Sequence, residues 1–138
     1  SVVQDAKVAL SAGTVNAMHD PTEGGISSGL IELANSSGLG MVIDRYSIEE
    51  IPVSKLFCQA LGLDPLGLIA SGALIACVPQ AEETQIMNAL IQANIPTFKI
   101  GKMTKRHTEI KMIENNQLID FPQFETDELA RFFATIKK

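Results

Sequence analysis

At 138 residues, with 46% apolar and 20% charged residues, the chain is long enough for a core of its own and has the make-up of an ordinary globular domain. A net charge of −5 argues against nonspecific nucleic-acid binding, which needs a positive field. No apolar run reaches the roughly 18 residues of a membrane span, and no basic-then-apolar signal opens the chain, so a soluble cytoplasmic protein is expected.

The first residues fall into a helical pattern, with Val2, Val3, Ala6 and Leu10 spaced for one face and Gly13 as a stop. With no initiator Met, the chain is expected to be a domain of a longer protein. Thr14 to Met18 reads as a short buried strand. After a polar and glycine-rich segment, Ile26, Leu30, Leu33 and Ala34 mark a helix ended by Ser36-Ser37-Gly38. Met41 to Ile43 reads as a strand. Ile51-Pro52 precedes a helix whose Val53, Leu56, Phe57, Ala60 and Leu61 are spaced for burial, with Gly62 ending it. Asp64-Pro65 opens a turn in which Asp64 bonds its own backbone.

Ala73 to Val78 is continuously apolar and reads as a central strand, stopped by Pro79. Ala81 to Ala93 is a helix with Glu82 and Glu83 in its first turn, where the dipole favours acids. Pro96 to Met103 reads as a strand. Thr108 to Ile113 alternates, and Asn115-Asn116 turns it into Leu118 to Phe121, an antiparallel hairpin. Asp127 to Ile136 is a terminal amphipathic helix. The order predicts an α+β fold: a mixed, partly antiparallel sheet packed with helices.

Cys58 and Cys77 lie in apolar patterns and read as buried thiols of a reducing compartment; neither has a second ligand at metal-binding spacing. The basic residues Lys99, Lys102, Lys105, Arg106 and Lys111, with His107 among them, read as a solvated strand or hairpin face.

The chemistry concentrates in His19-Asp20-Pro21-Thr22-Glu23-Gly24-Gly25, between a strand and a helix. Glycines at a helix start let an anion approach free backbone N–H groups, and the helix dipole favours negative charge there. On this reading Gly24 and Gly25 face a phosphate, Thr22 offers a hydroxyl and Asp20 holds an accompanying cation. Glu23 beside a phosphate needs a metal or a cationic group between them. The competing reading is a plain strand–turn–helix connection with Asp20 or Thr22 as an N-cap. His19 is either an acid–base group or a structural neighbour. Ser71-Gly72 is either a turn or a close approach to ligand, and Asn16 either faces a ligand or pairs with backbone. No nucleophile elbow, Walker lysine or Cys/His nucleophile pair is present.

The string Ala17-Met18-His19-Asp20-Pro21-Thr22-Glu23-Gly24-Gly25 resembles the glycine-rich signature of the C-terminal domain of aminoimidazole ribonucleotide (AIR) synthase-related proteins. Further matches follow in order: Leu33-Ala34, Ile51-Pro52-Val53, Leu61-Gly62-Leu63-Asp64-Pro65-Leu66, and Ser71-Gly72-Ala73-Leu74 leading to Val78-Pro79. Together they are most similar to the hydrogenase expression/formation branch. The resemblance implies an N-terminal domain that dimerises and supplies most of an ATP and Mg2+ site. It also implies phosphoryl transfer to an amide, carbamoyl or similar oxygen. Asp20, Thr22, Gly24 and Gly25 would then face the nucleotide or a phosphorylated intermediate, with Glu23 among the cofactor-binding residues at a position that varies among the branches and whose role the resemblance leaves open. Its partners would be its own N-terminal domain and the nucleotide, with a homodimer and a further protein partner left open. One alternative is a noncatalytic binding or maturation-partner domain. Another is the branch's carbamoyl dehydratase, whose tail cysteine has no counterpart in Phe132 to Lys138.

Overall fold

The computed structural model describes residues 1–105 and 109–136. Arg106, His107 and the Thr108 start of a strand therefore lie outside the described residues, as do Lys137 and Lys138.

Among the described residues, eleven helices and strands follow in order. They are α1 (Val3–Ala12), β1 (Ala17–His19), α2 (Gly25–Ser37), β2 (Gly40–Asp44), α3 (Pro52–Leu61), β3 (Ile75–Cys77), α4 (Glu83–Gln92), β4 (Gly101–Thr104), β5 (Ile110–Glu114), β6 (Gln117–Asp120) and α5 (Glu128–Ile136). Short 3-10 turns occupy Arg45–Ser47 and Pro65–Gly67. Most boundaries follow from local chemistry. Gly38 and Gly62 end α2 and α3 in the left-handed conformation, and Pro52 sits at the start of α3. Asp64 Oδ1 accepts from the Leu66 N–H at 2.9 Å, the self-bonded turn its sequence predicts. Asn115 and Asn116 have φ of 50° and 60°, the pair of positive values a two-residue hairpin requires.

Four strands form a mixed sheet in the order β4-β2-β5-β6. β2 pairs antiparallel with β4 and parallel with β5, and β5 pairs antiparallel with β6. The α+β class with a partly antiparallel sheet is the one the sequence predicts. The core is formed by Leu30, Leu33 and Ala34 of α2 with Met41 and Ile43 of β2, Leu66, Ile75, Met112 and Phe121. Met41 is 2% exposed and Leu66 is 1% exposed. α1 packs along α4, burying Ala9 and Ile86. The Glu82 carboxylate accepts from the Thr14 N–H at 2.7 Å beside that contact.

Three expectations need correction. The apolar run Ala73 to Val78 is not a central strand: only Ile75–Cys77 is extended, and it pairs with β1 alone in a separate two-stranded sheet. A turn closes Ala70 to Ala73, with Gly72 at φ 101°, and Pro79 ends the other side. The strand expected from Pro96 begins pairing only at Gly101. The apolar stripe of α3 is not buried in this chain. Val53, Leu56, Phe57 and Leu61 are 41–67% exposed, and Cys58 is the residue α3 buries. Among the described residues no helix is long and apolar enough to cross a membrane.

Candidate functional site

The segment joining β1 to α2 is set by three small or rigid residues. Pro21 is buried and packs over Gly29, where a Cβ would lie 3.0 Å from the Pro21 Cβ. Gly24 and Gly25 adopt φ of 74° and 66°, the left-handed region that side chains disfavour. At Gly25 a Cβ would lie 2.5 Å from the Leu66 carbonyl oxygen and closer still to that of Leu68. The glycine pair therefore turns the chain and seats α2 against the Pro65–Gly67 turn.

This geometry corrects one expectation: the two glycine amides are not free. The Gly25 N–H donates to the Thr22 carbonyl at 3.1 Å, and the Gly24 N–H donates to Asp127 Oδ2 at 3.2 Å. Both glycines are buried. Asp127 Oδ1 accepts from the Leu129 N–H at 2.9 Å, so one carboxylate caps α5 and engages the start of α2. Among the described residues, the N–H groups of Ile26 and Ser27 have no acceptor; Ser27 is fully buried. The Ser27 hydroxyl donates to the Pro122 carbonyl at 2.6 Å.

The solvent edge of the segment is polar. Asp20, Thr22 and Glu23 are all exposed, and the Thr22 hydroxyl donates to Glu23 Oε2 at 3.2 Å. Thr22 also fixes the loop through its carbonyl, which accepts from the Ala70 N–H at 3.2 Å. His19, half-buried at the end of β1, sets Nε2 2.5 Å from Glu32 Oε2. Its Nδ1 is buried without a partner among the described residues. A proton on Nε2 satisfies this arrangement, since it leaves an unshared lone pair rather than an unpaired N–H on Nδ1. Asn16 donates its N–H to the Cys77 carbonyl at 2.8 Å, bringing β1 to β3.

A second cluster lies beside this one. Glu128 is 6% exposed, accepts from the Asp64 N–H at 2.9 Å, and pairs with Arg131 through both oxygens at 2.6 and 2.7 Å. The Arg131 guanidinium holds the Glu128 carboxyl below its ordinary range, against an opposing effect of burial. Gly67 lets this cluster close: a Cβ there would meet the Phe124 ring at 2.7 Å and Glu128 Cγ at 2.9 Å. Two shallow clefts of about 260 and 270 Å³ lie elsewhere, along Arg45, Tyr46, Glu50 and Lys55, and the Asp20–Gly25 segment lines neither. Among the described residues, no three His, Cys, Asp or Glu side chains converge as a metal site. The Cys58 thiol is buried, and burial raises its pKa first of all.

The profile of the AIR synthase related protein, C-terminal domain, matches residues 2–113. The chain belongs to that family. Relatives and solved structures agree. The carbamoyl dehydratase HypE of Cupriavidus necator is 37% identical over 76 residues, which are 55% of this chain and 22% of the relative. The chain thus spans well under half the length of the proteins it matches. The crystal structure of Escherichia coli HypE, a hydrogenase maturation protein, superposes with a TM-score of 0.85 at 22% identity, over 95% of this chain and 41% of that one. A HypE in complex with ATP shares the fold at a TM-score of 0.78 and 23% identity, over 88% of this chain and 39% of that one.

The matched stretch runs from α1 into β5, but residues beyond 113, including Asp127 and Glu128, lie outside it. The sequence alone did not single out Asp127 as a partner of Gly24, because 103 positions separate them. Glu32 left a weaker signal. It follows Gly29 by three residues, on the helix face that meets His19.

Proposed function

We propose that this chain is the C-terminal domain of an ATP-dependent carbamoyl dehydratase of the hydrogenase-maturation kind. An N-terminal domain of the same protein would supply most of the nucleotide and Mg2+ site. The observation that carries this reading is the 37% identity to a carbamoyl dehydratase over 76 residues. The fold shared with an ATP-bound HypE supports it.

The fit to a nucleotide is divided. The Gly24 and Gly25 amides do not fit a phosphate in this conformation, since the protein's own oxygens occupy them. The exposed edge fits better. Asp20 and Glu23 carboxylates and the Thr22 hydroxyl are hard oxygen donors, and Mg2+ on phosphates takes one or two carboxylates while keeping water. When bound, ATP supplies the phosphoryl group that turns a carbamoyl oxygen into a leaving group. Asp20 and Glu23 would orient the cation, Thr22 would hold Glu23, and Gly24 and Gly25 would keep this edge at the head of α2.

The test is ATP consumption by the longer protein, with a carbamoylated thiol as acceptor. Asp20→Asn and Thr22→Val are expected to lower kcat roughly tenfold or more with an unchanged thermal midpoint. Wild-type kcat in both variants would remove the loop from the reaction. One observation favours a second reading, a noncatalytic partner-binding domain: Asp127 already holds the Gly24 N–H. Background ATP consumption by the wild-type protein, with retained binding of a protein partner, would select it.

A further inference from the structure

We infer that His19 and Glu32 form a positioning pair that aims the Asp20 carboxylate at the cation of the bound nucleotide. The inference rests on the enzymatic reading, in which Asp20 orients that cation. His19 closes β1, where it pairs in register with Ile75 of β3. Its ring lies against α2 at Gly29: a Cβ there would stand 3.5 Å from His19 Nδ1, 3.1 Å from Ile75 Cδ1 and 3.0 Å from the Pro21 Cβ. Glu32 follows Gly29 by three residues on the same side of the helix, and its Oε2 lies 2.5 Å from His19 Nε2. Glu32 is exposed and reaches the ring from the solvent side.

The geometry separates positioning from acid–base work. Neither ring nitrogen is free for a substrate: Nε2 is held by Glu32, and Nδ1 is buried without a partner among the described residues. A general acid or base needs a nitrogen within hydrogen-bond reach of the proton it moves. The orphaned Nδ1 also calls for a reason. A buried polar atom without a partner costs stability, and an apolar side chain would fill the same space without that cost. What an apolar side chain would not supply is the Nε2–H donated to Glu32. The neighbours of Asp20 then leave it little freedom. On one side, His19 is pinned to β3 by strand pairing and to α2 by its ring. On the other, Pro21 is buried and restricts the residue before it to extended backbone. Asp20 is exposed between these two anchors, so its carboxylate takes the direction they set. The pair also spans the loop, tying the strand that enters it to the helix that leaves it.

The experiment uses the longer protein and reads both kcat for ATP consumption and the affinity for Mn2+. Mn2+ stands in for Mg2+ at oxygen donors, and its binding is followed by electron paramagnetic resonance with a nonhydrolysable ATP analogue present. His19→Leu and Glu32→Leu are expected to weaken Mn2+ binding and lower kcat, each roughly tenfold. Glu32→Leu, at an exposed position, keeps the test informative if His19→Leu does not fold. His19→Gln keeps a side-chain N–H near the place of Nε2, and Glu32→Gln keeps an acceptor oxygen, so each should recover most of both readouts. A double-mutant cycle decides the route: in an Asp20→Asn background, His19→Leu should add no further loss, since it acts through Asp20. A full additional loss in that background would make His19 merely structural and overturn the inference. Wild-type Mn2+ binding in both leucine variants, with binding still lost in Asp20→Asn, would also overturn it and leave the enzymatic reading standing. Wild-type Mn2+ binding and kcat in Asp20→Asn would remove that reading and the inference together.

Discussion

Helices α2 and α3 carry similar apolar spacing and meet opposite fates. α2 buries Gly25, Ser27, Gly29, Leu30, Leu33 and Ala34, whereas α3 buries Cys58 alone. The difference lies in the small residues. Gly25 and Gly29 allow α2 to press against backbone at Leu66 and Leu68 and against Pro21 and Ile75, so its whole inner face is covered. α3 has the larger apolar side chains and, among the described residues, no layer over them. Periodicity identifies which face of a helix is apolar; it does not say what covers that face.

The largest expected effect breaks the α2 side at its first residue. Gly25→Ala adds a Cβ against two carbonyl oxygens that belong to fixed backbone, and it forces alanine to φ 66°. Left-handed strain and overpacking together should cost roughly 4 kcal/mol. That lowers the thermal midpoint by about 10–15 °C or prevents folding, read by calorimetry or by yield of folded protein. Next comes a matched pair of leucines. Leu66→Ala, at 1% exposure under α2, should cost about 3 kcal/mol in urea unfolding. Leu56→Ala, at 67% exposure on α3, should stay within about 0.5 kcal/mol when measured in dilute solution.

Much of this contrast was half legible in the sequence. Glycine stops at Gly13, Gly38 and Gly62, the proline at Pro52 and the Asn115-Asn116 turn act through the backbone within a few residues, so the elements they bound are readable. The fate of an apolar run depends on partners far away. Ala73 to Val78 has the composition of a central strand, yet Gly72 and Pro79 cut it short, and it meets only the three residues of β1. The glycine pair was legible as a turn and as the family's signature. That its amides are taken was not, because Asp127 arrives from the far end of the chain, and nothing local to Gly24 announces it.

A smaller effect tests how the C-terminal segment is tied to the α2 side. Glu128 has its pKa lowered in the folded state, first by the Arg131 hydrogen bonds. Its contribution is therefore complete above the ordinary carboxylate range and is lost as pH falls through the lowered folded value. Glu128→Gln should cost about 1–2 kcal/mol near neutrality, at the lower end because Arg131 is half exposed and screened. The variant should also lose less stability than wild type on acidification, since Gln cannot titrate. Equal acid sensitivity in the two proteins would show that Glu128 is not the titrating link.

A second glycine sharpens the comparison most. Gly62, which ends α3, has φ 65°, within a degree of Gly25. A Cβ there meets nothing within 4 Å. Gly62→Ala therefore bears the left-handed strain without the overpacking, and about 1 kcal/mol is expected in urea unfolding. Subtracting it from Gly25→Ala leaves the packing contribution of α2 against Leu66 and Leu68. If the two substitutions cost the same, backbone strain alone accounts for both, and the tight seat of α2 is not what holds the head of that helix in place.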